Sequence, residues 1–105
     1  METPNFKVID QYAQGDDSVK QMMLDIIKEE FPEEKEKYYT HLKAKEAKET
    51  QESVHKLKHK ISVLGLEQSY EIANAYEKDL LKGSFDLKDK FNQILDTITT
   101  FIDAL

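Results

Sequence analysis

The sequence predicts an all-α protein, an antiparallel four-helix bundle with a short additional N-terminal helix. Three observations lead there. Helix formers dominate a chain of 105 residues that holds only three glycines and two prolines. Apolar residues recur at helical spacing in successive blocks. Short punctuation separates those blocks, and short loops favour antiparallel neighbours. A chain of this length supports one core but not a second module, so residues 1–105 read as a single domain.

Each element follows from its own pattern. Phe6, Ile9 and Ala13 suggest a short first helix closed by Gly15, and Asp16, Asp17 and Ser18 then offer capping oxygens for the next. The second block carries Val19, Met22, Met23, Ile26 and Ile27, with Tyr38 and Leu42 continuing the apolar side. Pro32 either kinks this block or starts a new helix at its first turn. The stretch 41–52 has almost nothing to bury and is expected to hold a turn near Ala47–Thr50. The third helix is expected from about Thr50 to Leu64, with Val54, Leu57, Ile61 and Leu64 buried and Gly65 ending it. The fourth runs from Leu66 to about Leu81, burying Leu66, Tyr70, Ala73, Tyr76 and Leu80, and Lys82–Gly83 ends it. Ser84 or Asp86 is expected to cap the last helix, whose row is Leu87, Phe91, Ile94, Leu95, Ile98, Phe101, Ile102 and Leu105.

Charge and composition remove several classes of function. A formal charge of −6 argues against general nucleic-acid binding and against docking on anionic lipid. All fifteen basic residues are lysine, so no guanidinium is present to clamp a phosphate or carboxylate in bidentate fashion. The absence of cysteine excludes thiolate catalysis and thiolate metal sites. The first residues show no apolar signal region and no run approaches a membrane span, which makes a cytoplasmic location the expectation.

Against that acidic background, residues 54–60 (VHKLKHK) gather three lysines and two of the three histidines. On a helix with Leu57 at the origin, Val54, Ile61 and Leu64 fall within about 60° of it, and His55 falls roughly 140° from the centre of that row. The spacing therefore sets His55 in solvent in mid-helix, flanked by His59 and Glu52 on one side and Lys58 on the other, with Ser62 almost beneath it two turns on. A neutral imidazole nitrogen is a competent nucleophile, and a lysine one turn away offsets the charge of an anion placed on it. An ordinary solvated helix face carries His and Lys in the same way, so the run alone does not decide.

The longer stretch VHKLKHKISVLGLEQSYEIANAYEKDL resembles the histidine-containing phosphotransfer (HPt) family. That family's signature is a histidine, any residue, an aliphatic, a lysine and usually a glycine, then a small residue and an aliphatic–glycine pair at the helix end. His55, Leu57 and Lys58 match its first part, Ser62 the small residue, and Leu64–Gly65 the terminal pair; Ala73…Tyr76–Glu77 is similar to the family's Ala-x-x-Leu-Glu. These matches cover roughly a quarter of the chain, while the expected bundle agrees with the family fold over nearly all of it. The resemblance implies a phosphorelay intermediate that takes a phosphoryl group on His55 from the phospho-aspartate of one receiver domain and passes it to another. It implies that Lys58 steadies the phosphoryl group and that Gly65 closes the helix near its neighbour. It implies no cofactor on this chain, magnesium on the partner receiver, and response-regulator receivers or a hybrid histidine kinase as partners to a monomer. Such a protein is a phosphoryl carrier and not an autonomous kinase; no nucleotide-binding motif is present. Met1 favours a separate small protein over a domain of a larger kinase. His59 stands where the family usually has glycine and adjoins His55 directly, which leaves four readings open: a hydrogen bond to the phosphoryl oxygens, a narrower choice of partner, lost activity, or a tolerated surface residue.

Other readings remain open. A non-catalytic helical adaptor would hold a partner in an apolar groove. His55 and His59 are also an i, i+4 pair able to chelate, with Glu52 as a third donor, but the ligand sets of metal-binding bundles are missing and no metal is expected. His41 reads as solvated. Met22 and Met23 read as gap-fillers, or as part of an apolar docking patch beside the third helix.

Overall fold

A computed structural model describes residues 2–105. Among them are five α-helices and no strand: α1 (Lys7–Ala13), α2 (Asp17–Lys43), α3 (Ala47–Val63), α4 (Glu67–Leu81) and α5 (Lys88–Asp103). α3 lies between α2 and α4, α5 closes against α4 and α2, and α1 rests on α2 and α3. One apolar core draws on all five, from Ile9 through Ile27, Phe31, Leu57, Ile61, Ala73 and Leu80 to Phe91, Leu95 and Ile98. No helix is long and apolar enough among the described residues to cross a membrane.

The local chemistry explains most of the boundaries. Asp16 caps α2, its carboxylate accepting from the Ser18 and Val19 amides at 2.9 and 3.3 Å. α2 runs through Pro32 without interruption. Pro32 is exposed, so the carbonyl that loses its intrahelical donor can be hydrated instead. α3 begins at Ala47, earlier than the sequence suggests, because the chain turns at residues 44–46. α3 ends in a Schellman motif: the Gly65 amide donates to the Ser62 carbonyl at 3.1 Å and the Leu66 amide to that of Ile61 at 3.2 Å. Gly65 takes φ +75°, and any side chain there would also overlap the Asn5 amide.

The cap of α5 and the burial of Leu105 differ from expectation, and the row at the start of α2, left open between core and docking patch, is mostly outside the core. Neither Ser84 nor Asp86 caps α5, which starts after Leu87 with no side-chain cap; the Ser84 hydroxyl instead accepts from the Asp86 amide at 3.3 Å and organises the loop. Of the expected row at the start of α2, only Ile27 is buried, while Met22 and Ile26 are 56% and 46% exposed. Leu105, beyond the end of α5, is exposed as well.

The core also holds a polar chain. The Tyr38 hydroxyl donates to Asn92 Oδ1 at 2.8 Å and accepts from the Tyr76 hydroxyl at 3.0 Å, linking α2, α4 and α5. Burial raises both phenols, that of Tyr38 well above the usual tyrosine range.

Candidate functional site

α3 is amphipathic, and its two flanks meet different neighbours. Lys58 sits about 80° from the centre of the core row, at the seam with α4, and Lys60 about 80° to the other side, at the seam with α2. The structure separates the lysines accordingly. Lys60 Nζ reaches Glu30 Oε1 of α2 at 2.8 Å and Glu34 at 3.4 Å. Lys58 Nζ lies between Asn74 Oδ1 at 2.8 Å and Glu77 Oε2 at 2.9 Å, both on α4, and 5.4 Å from the centre of the Tyr70 ring. Lys58 was expected beside the exposed imidazole, offsetting the charge of an anion placed on it; it is 9% exposed and its ammonium is turned to α4. The reason is Glu77, a carboxylate in the buried arc of α4 that needs a cation there.

His55 is where its helical position puts it. Its side chain is 55% exposed in the middle of α3. Its Nδ1 lies 2.8 Å from Glu77 Oε1. A carboxylate only accepts, so Nδ1 carries the proton. In the neutral ring the lone pair is then on Nε2, the nitrogen remote from Glu77. One carboxylate thus holds the imidazole with one oxygen and the ammonium with the other. The tautomer, the ring orientation and the position of Lys58 are set together.

The other residues singled out by sequence fall on or beside this face. His59 is exposed and its ring stands edge-on to that of His55, with centroids 5.2 Å apart and planes at 88°. It stands beside the His55 ring, which stays 55% exposed. Ser62 is exposed further along α3, and Gly65 forms the turn beyond. His41 is apart from them; it is partly buried and pairs with Glu46 Oε1 at 3.0 Å. Among the described residues, no group of three or more His, Cys, Asp or Glu is placed to hold a metal ion.

Glu77 and Asn74 are the site residues that the sequence reading missed as such. Glu77 was visible only as the end of an Ala73…Tyr76–Glu77 pattern. A stronger signal was available: Tyr70, Ala73 and Glu77 fall on one stripe of α4, and a carboxylate in an apolar stripe requires a partner across the seam.

No protein-family model, curated protein or solved structure matches this chain.

Proposed function

We propose that the chain is a histidine-containing phosphotransfer domain, a phosphorelay intermediate that carries a phosphoryl group on His55 between receiver domains. In this reading α2–α5 form an antiparallel four-helix bundle, α1 is the short additional helix, and residues 1–105 act as one cytoplasmic, monomeric domain. The observation that carries the reading is the contact between His55 Nδ1 and the Glu77 carboxylate. An exposed imidazole on a long helix, with Nδ1–H tied to Glu77 at 2.8 Å, presents a nucleophilic Nε2 to solvent. The sequence resemblance around His55 supports it.

The transfer balances simply. The Nε2 lone pair forms an N–P bond as the P–O bond of the receiver's acyl phosphate breaks, and the bonding pair stays with the aspartate carboxylate. The Nδ1 proton remains on the ring, so the phosphorylated imidazole is cationic and Glu77 stabilises it. Magnesium and most of the catalysis belong to the receiver; this chain supplies a positioned nucleophile.

The adaptor reading has one observation in its favour. Met22 and Ile26 are exposed on the open surface of α2, bordered by Asp17, Asp25 and Glu29. One turn further along α2, Glu30 pairs with Lys60 of α3, so this patch lies near the C-terminal half of α3. It serves equally as a receiver-docking surface on the α2 flank of the helix that carries His55. Incubation with a panel of phosphorylated receivers separates the two. The phosphocarrier takes up label, and His55→Gln takes up none. Label retained by His55→Gln rules out this acceptor, and no uptake by the wild type from any receiver leaves the adaptor.

A further inference from the structure

We propose that His59, and not Lys58, is the residue that contacts a phosphoryl group carried on His55. The proposal rests on the acceptor reading above, and four observations carry it.

Glu77 places Lys58 on the wrong side of the acceptor. It holds His55 Nδ1 with Oε1 and Lys58 Nζ with Oε2, so the ammonium sits at the Nδ1 edge while the phosphoryl group would leave from Nε2. Lys58 is also already engaged by two oxygens of α4 and is 9% exposed, so reaching out would strip Glu77 of its cation. Of the other lysines in the run, Lys60 is drawn to Glu30 and Glu34 of α2, and Lys56 is a further 100° around the helix from His55. His59 is on the same face one turn on, exposed, with its ring edge-on to the acceptor at 5.2 Å. His59 needs only to turn about its own side-chain bonds to donate an N–H to a phosphoryl oxygen. When protonated it donates from a cation, which shortens and strengthens the bond.

The test needs no partner protein. Phosphoramidate loads the full chain directly: Nε2 of His55 forms the N–P bond as the reagent's own P–N bond breaks, and ammonia departs after taking a proton from water. Loading, the ³¹P shift of the resulting phosphohistidine and its hydrolysis are followed for the wild type, His59→Gly and His59→Lys, with the label mapped to His55 by peptide mass. The expected result is loading about three- to tenfold slower in His59→Gly, with a displaced ³¹P shift and a shortened lifetime, and recovery of rate and lifetime in His59→Lys. Since His59 is exposed, all three chains fold, which circular dichroism checks. His59→Gly indistinguishable from wild type in rate, shift and lifetime overturns the role of His59 and leaves the acceptor intact. A wild-type chain whose label maps elsewhere than His55 overturns the acceptor reading and this role with it.

Discussion

At the scale of single residues, the site turns on Glu77, because one carboxylate does two separable things. It neutralises Lys58 in a place where both side chains are only about a tenth exposed (11% and 12%). It also fixes the tautomer of His55. Glu77→Leu, which removes both side-chain oxygens, should affect both. Leaving a nearly buried ammonium without its carboxylate costs about 2 kcal/mol, below the usual figure for a fully buried pair because Asn74 remains as an acceptor. Losing the tautomer lock should slow phosphoramidate loading of His55 by roughly tenfold. The double variant Lys58→Met, Glu77→Leu tells the two roles apart. Urea unfolding should show most of the stability restored, since an apolar side chain replaces the stranded cation. Loading should stay slow, since nothing has restored the partner of Nδ1. A double variant that loads at the wild-type rate would make Glu77 merely the counter-ion of Lys58.

At the scale of helices, what the sequence disclosed depended on whether a boundary is built from residues that advertise it. The end of α3 was readable because Gly65 occupies the left-handed position, and the start of α2 because Asp16 caps it. The α5 stripe was readable because Phe91, Ile94, Leu95, Ile98 and Ile102 sit at unbroken helical spacing and are all buried. The α2–α3 turn was misplaced because it uses none of these residues. Lys45 takes the left-handed conformation at φ 56°, its amide donating to the Leu42 carbonyl at 3.0 Å and the Glu46 amide to that of His41 at 3.1 Å. This is the same Schellman closure as at Gly65, formed by a residue that resists it. No side chain caps α3 either; the Glu46 carboxylate turns to His41 instead. Lys45→Gly should therefore raise the unfolding free energy by about 0.5–1 kcal/mol, measured by urea denaturation, because relief of the left-handed strain exceeds the extra entropy of the unfolded chain. A loss of stability would mean that the Lys45 side chain contributes more than its backbone costs.

The site shows the same division. His55, His59 and their shared exposed face follow from one helix and its period, and were legible in advance. The burial of Lys58 follows from α4 lying across the seam, which a single-helix projection cannot show. The exposure of Met22 and Ile26 was left undecided for a related reason: the apolar row at the start of α2 is wider than the surface that α1 and α3 offer to cover it.

At the scale of the whole molecule, the segment before α1 fastens the fold together. The Asn5 amide donates to the Leu64 carbonyl at 2.9 Å, beside Gly65, and the Phe6 ring lies against Phe101 of α5 with Lys20 of α2 above it. The Glu2 carboxylate receives the amides of Gln68 and Ser69, each at 2.9 Å. Those are the second and third residues of α4, the donors that a capping side chain normally satisfies, and Leu66 at the cap position has none to offer. A cap supplied from more than sixty positions away leaves no trace in local sequence. Burial alone would raise the Glu2 carboxyl, but the amides of Gln68 and Ser69 outweigh it and hold the group below its ordinary value of 4.5. The sign of the linkage follows. A carboxyl whose folded value is depressed stabilises the fold above its unfolded value and loses that contribution as pH falls through the folded one. Glu2→Gln should be less stable than wild type at pH 7, by about 1 kcal/mol on the scale of helix caps. The gap should be fully present at pH 6, narrow once pH drops below 4.5, and close further as the wild-type carboxyl protonates. Paired urea titrations of the two chains from pH 7 to pH 3 measure it. A gap that stays constant over that range would show that Glu2 holds α4 by shape alone, and a gap that widens in acid would reverse the assigned direction.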